Sequence, residues 1–120
     1  MTTDYRERIT ALIKELEQAE NRVAGCHFEV SRTDRDAENM KNDYVLGAAE
    51  PFDGKTESVR AMQLANYLNG IKEYRQIVQQ QDNDRLALRK AQAHRDAIEH
   101  TRALEMGLLR LEGRRGDESE

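Results

Sequence analysis

The sequence predicts an all-α protein: a long antiparallel helical hairpin, a coiled coil with a short helix at its tip. Three observations carry that prediction. Hydrophobic residues make up 38% of the chain and charged ones 35%, with one proline and no tryptophan, a composition that suits long amphipathic helices with narrow apolar stripes rather than a thick core. From Tyr5 to Tyr44, alternating steps of four and three pick out Tyr5, Ile9, Leu12, Leu16, Ala19, Val23, Cys26, Val30, Thr33, Ala37, Met40 and Tyr44. Only Thr33 is polar in that seam, and one helix cannot bury its own stripe, so a partner helix is required. A second helical stretch of matching length follows a loop and supplies the partner.

The first helix is predicted over residues 4–44. Thr2, Thr3 or Asp4 can cap it, because their side-chain oxygens accept from the unpaired N–H groups of the first turn. The positions flanking the seam are polar or charged, with Ile13 the apolar exception. Gly25 lies inside and costs about 1 kcal/mol relative to alanine, yet the phase continues past it, so one helix is expected, with any bend at Gly25. From Val45 to Lys55 the pattern stops, and Gly47, Pro51 and Gly54 punctuate a loop.

Thr56 is the predicted N-cap of a short helix over residues 57–69, with Glu57 placed to complement its dipole. Asn69-Gly70 signals a stop, since both residues adopt the left-handed conformation readily. The last helix is predicted over residues 72–112, with Tyr74, Ile77, Val78, Leu88, Ala91, Ile98, Leu104, Leu108 and Leu111 facing inward and Gly113 as its stop. Gln81, Arg85 and Arg95 fall where a strict heptad wants apolar groups, so the stripe is expected to drift or stutter over residues 81–95. Asp82, Asn83 and Asp84 compete with the helical backbone and could start a new helix, but such residues are tolerated singly on a wet face, so one continuous helix is the expectation and a break there the alternative. Each arm spans on the order of 60 Å. Antiparallel pairing sets residues whose numbers sum to about 116 opposite one another, placing Ile9 and Leu12 near Leu108 and Leu104, and Ala37 near Val78. Residues 1–113 form one predicted domain, and residues 114–120, lacking any apolar side chain, are expected to be disordered.

Charge excludes some classes of function. The net charge of −4 arises from 19 basic and 23 acidic residues mixed along the chain, which leaves no field to draw it onto phosphate or anionic lipid. No apolar run approaches the ~20 residues needed to span a bilayer. A soluble, cytoplasmic protein with no membrane partner is expected. Cys26, alone in the chain, cannot form an intramolecular disulfide, which fits a reducing compartment or a secreted chain that never needed one.

Ala49 to Thr56 matches the relaxed phosphate-loop pattern in outline, but that chemistry needs a preceding strand and a glycine-rich nest of N–H groups; a helix-capping loop is the expectation. Cys26 and His27 are adjacent and point about 100° apart on a helix. Asp96 and His100 lie one turn apart, and two ligands do not make a zinc site. No metal or cofactor is expected. Arg85, Arg89, Lys90, Arg95 and Arg102 are the local basic excess, without interleaved aromatic residues for base stacking. They define the face an accessory nucleic-acid binder would use.

Arg95-Asp96-Ala97-Ile98-Glu99-His100 resembles the Arg-x4-His signature of HEPN-type ribonucleases, which implies an arginine and a histidine acting on a phosphodiester. Arg89 to His94 has the same spacing, and a solvated helix face is the expected role of both. Gly54-Lys55-Thr56-Glu57-Ser58-Val59-Arg60, followed by Leu64, Leu68 and Glu73-Tyr74, resembles the Gly-Lys-Asn-x3-Arg segment of small helical proteins encoded by phages and prophages. Thr56 replaces the asparagine, and Asn69-Gly70 replaces the usual Asp-Pro. The resemblance implies a phage-like origin and no established activity.

Seams of this kind make specific protein contacts, and no convergent catalytic set is present. The expected function is therefore non-enzymatic, through self-association as a homo-oligomer and contact with another protein. Ile13, Phe28 and Val45 are apolar extras on the first helix that pairing into a four-helix bundle would cover. The expected partner-binding residues are Leu46, Phe52, Val59, Leu64, Tyr67 and Leu68 at the tip, where the two-helix seam ends. The alternatives are the nucleic-acid binder above, a counter-defence protein that sequesters a host factor or small ligand, and HEPN-like ribonuclease activity.

Overall fold

The computed structural model describes residues 2–48 and 52–118, with side-chain surroundings for residues 4–48 and 52–113. Three helices follow one another: α1 (Thr2–Leu46), α2 (Glu57–Asn69) and α3 (Lys72–Glu118), with no strand among the described residues. The fold is an all-α helical hairpin in which α1 and α3 pack together. Both helices run through two compact units, one of Met1–Cys26 with Ala87–Glu120 and one of His27–Leu86.

In the first unit Leu16, Ala19, Val23, Ala91 and Ile98 are buried, and Leu12 packs against the cluster of Leu16, Ala19 and Ile98. Arg8 Nη2 lies 3.4 Å from Glu105 Oε2. Numbers that rise along α1 thus meet numbers that fall along α3, the antiparallel arrangement the matched arm lengths imply. In the second unit Thr33, Ala37 and Leu68 are buried. Asp34 Oδ1 accepts from Gln81 Nε2 at 2.9 Å and Arg85 Nη2 at 3.0 Å, within a few residues of the predicted register.

The α1 seam is as predicted. Every position from Tyr5 to Tyr44 in the four-three series is buried or half-buried. Thr33, the polar member, is tolerated at 3% exposure because its hydroxyl donates to carbonyls of its own helix, Glu29 at 3.0 Å and Val30 at 3.2 Å. α1 continues without interruption through Gly25. It already includes Thr2, so Thr3 and Asp4 lie inside its first turn, not ahead of it.

α3 departs from expectation in three ways. It runs unbroken through Asp82, Asn83 and Asp84, as expected, but without the expected stutter: Tyr74, Ile77, Gln81 and Asp84 in the second unit, then Leu88, Ala91, Arg95, Ile98, Arg102, Glu105, Leu109 and Glu112 in the first, are all buried or half-buried. That is a strict four-three series with polar residues in the seam. Leu104 and Leu108, predicted to meet Leu12 and Ile9, are instead 57% and 46% exposed. The cause is that α1 holds one phase along its length, and a partner keeps contact with it only by holding the same phase. Long side chains such as Arg95, Arg102 and Glu105 fit a seam position by lying their apolar stems along it while the charged ends reach outward. Finally, Gly113 does not stop α3, which reaches Glu118; Ser119 and Glu120 lie outside the described residues. A glycine ends a helix by turning left-handed, and no described glycine has positive φ.

The tip begins as predicted. Thr56 has extended backbone angles, and its hydroxyl accepts from the Val59 N–H at 3.2 Å, with Glu57 in the first turn of α2. α2 ends at Asn69, but Gly70 stays right-handed at φ −76° and ψ −12°, so the stop is not the left-handed one expected. The Gly70 N–H donates back to Asn66 and Tyr67, and the Ile71 N–H to Leu68 at 3.0 Å. Those bonds satisfy the last carbonyls of α2 before α3 starts at Lys72.

Candidate functional site

The first unit exposes a second apolar stripe. Leu104, Leu108 and Leu111 are 57%, 46% and 53% exposed, spaced by four and three, and each stands one residue before a seam position. One residue rotates the helix by about 100°, so this stripe lies on a different side of α3 from the seam that α1 covers. Ala97 and Thr101 continue the same spacing toward the N-terminus and are exposed. A Cβ at Gly107, beside the stripe, would meet nothing within 4 Å, so the backbone there is open to close approach. On α1 the unit also exposes Ile13 at 42%. The expected set of interaction residues omitted these leucines because they were assigned to the hairpin seam. The available signal was the strict phase through Ala91 and Ile98, which passes through Glu105 and Leu109 and misses all three.

In the second unit the predicted tip residues divide. Leu68 is buried, and Phe52, Leu64 and Tyr67 are half-buried. Tyr67 meets Phe52 edge-on with ring centroids 5.6 Å apart, and its hydroxyl donates to the Tyr44 carbonyl at 3.1 Å. These four side chains help close the end of the hairpin. Leu46 and Val59 are exposed, at 85% and 44%, as is Met62 at 64%. Phe28 on α1 is 66% exposed, and Val45 is half-buried.

Gly54 organises the loop before α2. Its N–H donates to Gln63 Oε1 at 3.0 Å, and its carbonyl accepts from Arg60 Nη1 at 2.9 Å. A Cβ there would lie 2.5 Å from Val59 Cγ1 and 3.0 Å from Gln63 Oε1. The Gly54 to Arg60 segment is thus a clamp that holds the loop onto the first turns of α2. The same bonds bear on the phosphate-loop pattern: the Gly54 N–H is committed to Gln63, and Ala49, Glu50 and Pro51 lie outside the described residues.

The basic residues do not form one presented face. In the second unit Arg85 is engaged by Asp34. In the first, Arg95 pairs with Asp96 at 3.1 Å, Arg95 and Arg102 are half-buried at seam positions, and Arg89 and Lys90 are exposed. His94 and His100 are exposed, and the Arg95 guanidinium is turned to Asp96 by two hydrogen bonds. Cys26 is half-buried with a free thiol, and His27 is exposed. Among the described residues no three His, Cys, Asp or Glu side chains gather as a metal site, and no helix is long and apolar enough to cross a membrane. Comparison with protein families, curated proteins and solved structures finds no match for this chain.

Proposed function

We propose that the chain is a non-enzymatic coiled-coil protein that acts by self-association and protein–protein contact. The observation that supports this is the leucine stripe on α3, three large apolar side chains about half exposed at coiled-coil spacing on a face that α1 leaves uncovered. Association through so small a stripe is reversible and depends on concentration. Sedimentation equilibrium over a range reaching about 100 µM tests it: a reversible increase in mass is expected, and a strict monomer throughout overturns the proposal.

A further inference from the structure

We propose that Asn69 is a site of spontaneous deamidation, guarded by the closed tip and loosening that tip once it has reacted. Of the asparagines in the chain, Asn69 alone precedes a glycine. The backbone nitrogen of the following residue can attack an asparagine side-chain amide, and glycine has no Cβ to obstruct the approach. The Gly70 nitrogen gives up its proton and bonds to Asn69 Cγ, the Cγ–Nδ2 bond breaks, and Nδ2 leaves as ammonia. Water then opens the five-membered imide at either carbonyl, giving aspartate or, with the main chain rerouted through Cγ, isoaspartate. Both residues are exposed, so water reaches them. The end of α2 restrains the reaction: the Gly70 N–H donates to the Asn66 carbonyl at 3.3 Å and the Tyr67 carbonyl at 3.2 Å, which holds the nitrogen toward its own helix.

Reaction therefore waits for the last turn of α2 to open, and the neighbouring side chains keep it shut. Leu68 is 4% exposed, and the Tyr67 hydroxyl is tied to the Tyr44 carbonyl at 3.1 Å. The frequency of such local opening sets how often a guarded backbone group becomes available. The product weakens the same guard. A carboxylate at residue 69 stands at the negative end of the α2 dipole, with no basic residue in the last turn. Isoaspartate also adds a main-chain carbon beside a joint of only Gly70 and Ile71.

Ageing the whole protein at mildly alkaline pH, then trypsin digestion and mass spectrometry, tests the site. Cleavage after Arg60 and Lys72 releases residues 61–72, which carry Asn66 as an internal control. Asn69 should convert over weeks while Asn66 stays intact, and a synthetic peptide of residues 61–72 should convert at Asn69 about tenfold faster or more. Leu68→Ala should speed conversion in the protein but not in the peptide; if far-UV circular dichroism shows that this variant loses its helices, Tyr67→Phe takes its place, with about a fivefold gain expected. Gly70→Ala should nearly abolish conversion in both, and the fold admits it, since Gly70 is right-handed and an added Cβ would stand 3.4 Å from the Tyr67 carbonyl oxygen. Asn69→Asp should lower the melting temperature by about 1–4 °C. An intact Asn69 in the aged protein, or conversion that persists in Gly70→Ala, overturns the site. Equal rates in protein and peptide, or no gain in the folded tip variant, overturn the guard, and an Asn69→Asp protein that melts with the parent overturns the loosening.

Discussion

Replacing Gly54 by alanine should destabilise the protein, and the same change at Gly25 should stabilise it. At Gly54 the new methyl would sit 2.5 Å from Val59 Cγ1 and 3.0 Å from both Val59 Cβ and Gln63 Oε1, closer than carbon atoms pack. Val59 is 44% exposed and can yield partly, so the cost falls within the range for overpacking, about 1–2 kcal/mol, including strain on the Gln63 and Arg60 hydrogen bonds. For a chain of this size each kcal/mol moves the melting temperature by about 4 °C, which makes the expected fall about 4–8 °C. Gly25 lies mid-helix with nothing within 4 Å of an added Cβ, so alanine there recovers about 1 kcal/mol of helix propensity and raises melting by about 4 °C. Far-UV circular dichroism melts at one matched protein concentration measure both, since self-association would otherwise shift the midpoint. Val59→Ala added to Gly54→Ala should restore part of the loss by removing the nearest clashing carbon. A Gly54→Ala protein that melts at or above the parent would refute the clamp.

The other expectations are smaller or qualitative. Tyr67→Phe removes the hydrogen bond to the Tyr44 carbonyl and should cost about 1 kcal/mol in urea denaturation with an unchanged slope, whereas no loss would mean the hydroxyl is as well served by water. Asp84 occupies a seam position with Oδ2 buried and lacking a hydrogen bond, although Oδ1 accepts from Gln80 at 2.8 Å; Asp84→Leu should therefore stabilise by about 1 kcal/mol or more, and a lower denaturation midpoint would contradict this. Purified protein incubated with single-stranded RNA should leave it intact, because the Arg95 guanidinium is turned to Asp96 while His100 stands exposed. Cleavage that disappears in His100→Ala would reverse that view.

α1 was legible because most of its large apolar residues occupy one stripe, with Ile13 and Phe28 the exposed exceptions, so periodicity and burial coincide along the seam from Tyr5 to Tyr44. α3 was legible as a helix of the right length and direction but not as a surface, because its apolar residues occupy two stripes. Joining Ile98 to Leu104 steps six residues, which crosses to another side of the helix, whereas the step of seven to Glu105 stays on one. Hydrophobicity favours the first step and helical geometry the second. The stop signals held in part: α2 ends at Asn69 as expected but without a left-handed turn, and Gly113 does not stop α3. Asn69-Gly70 and Gly113 permit a left-handed residue without requiring one, and the backbone at both glycines stays out of that region. Local sequence gives a glycine the option; the surrounding chain decides whether it is taken.

The polar seam of α3 changes what its exposed leucines signify. A helix that places Arg95, Arg102, Glu105 and Glu112 toward its partner forgoes burial that leucine would have supplied at the same positions, on the order of 1–2 kcal/mol at each. Within a lone hairpin that arrangement is a loss twice over, since the leucines one residue away stand in water. The arrangement does fix register. Seam positions that carry a charge tolerate only alignments in which the charge can reach water or a counterpart, as Glu105 reaches Arg8 at 3.4 Å, while leucines alone would accept any alignment that kept them together. Polar residues in the seam thus bear on how α1 and α3 align, while the leucines one residue away stay about half exposed. The division predicts its own failure mode: moving leucines into the seam at Arg102 and Glu105 should raise hairpin stability yet loosen its register. Cysteine pairs one heptad apart would then cross-link in more than one alignment, and a single alignment surviving that change would show that α1 alone sets the register.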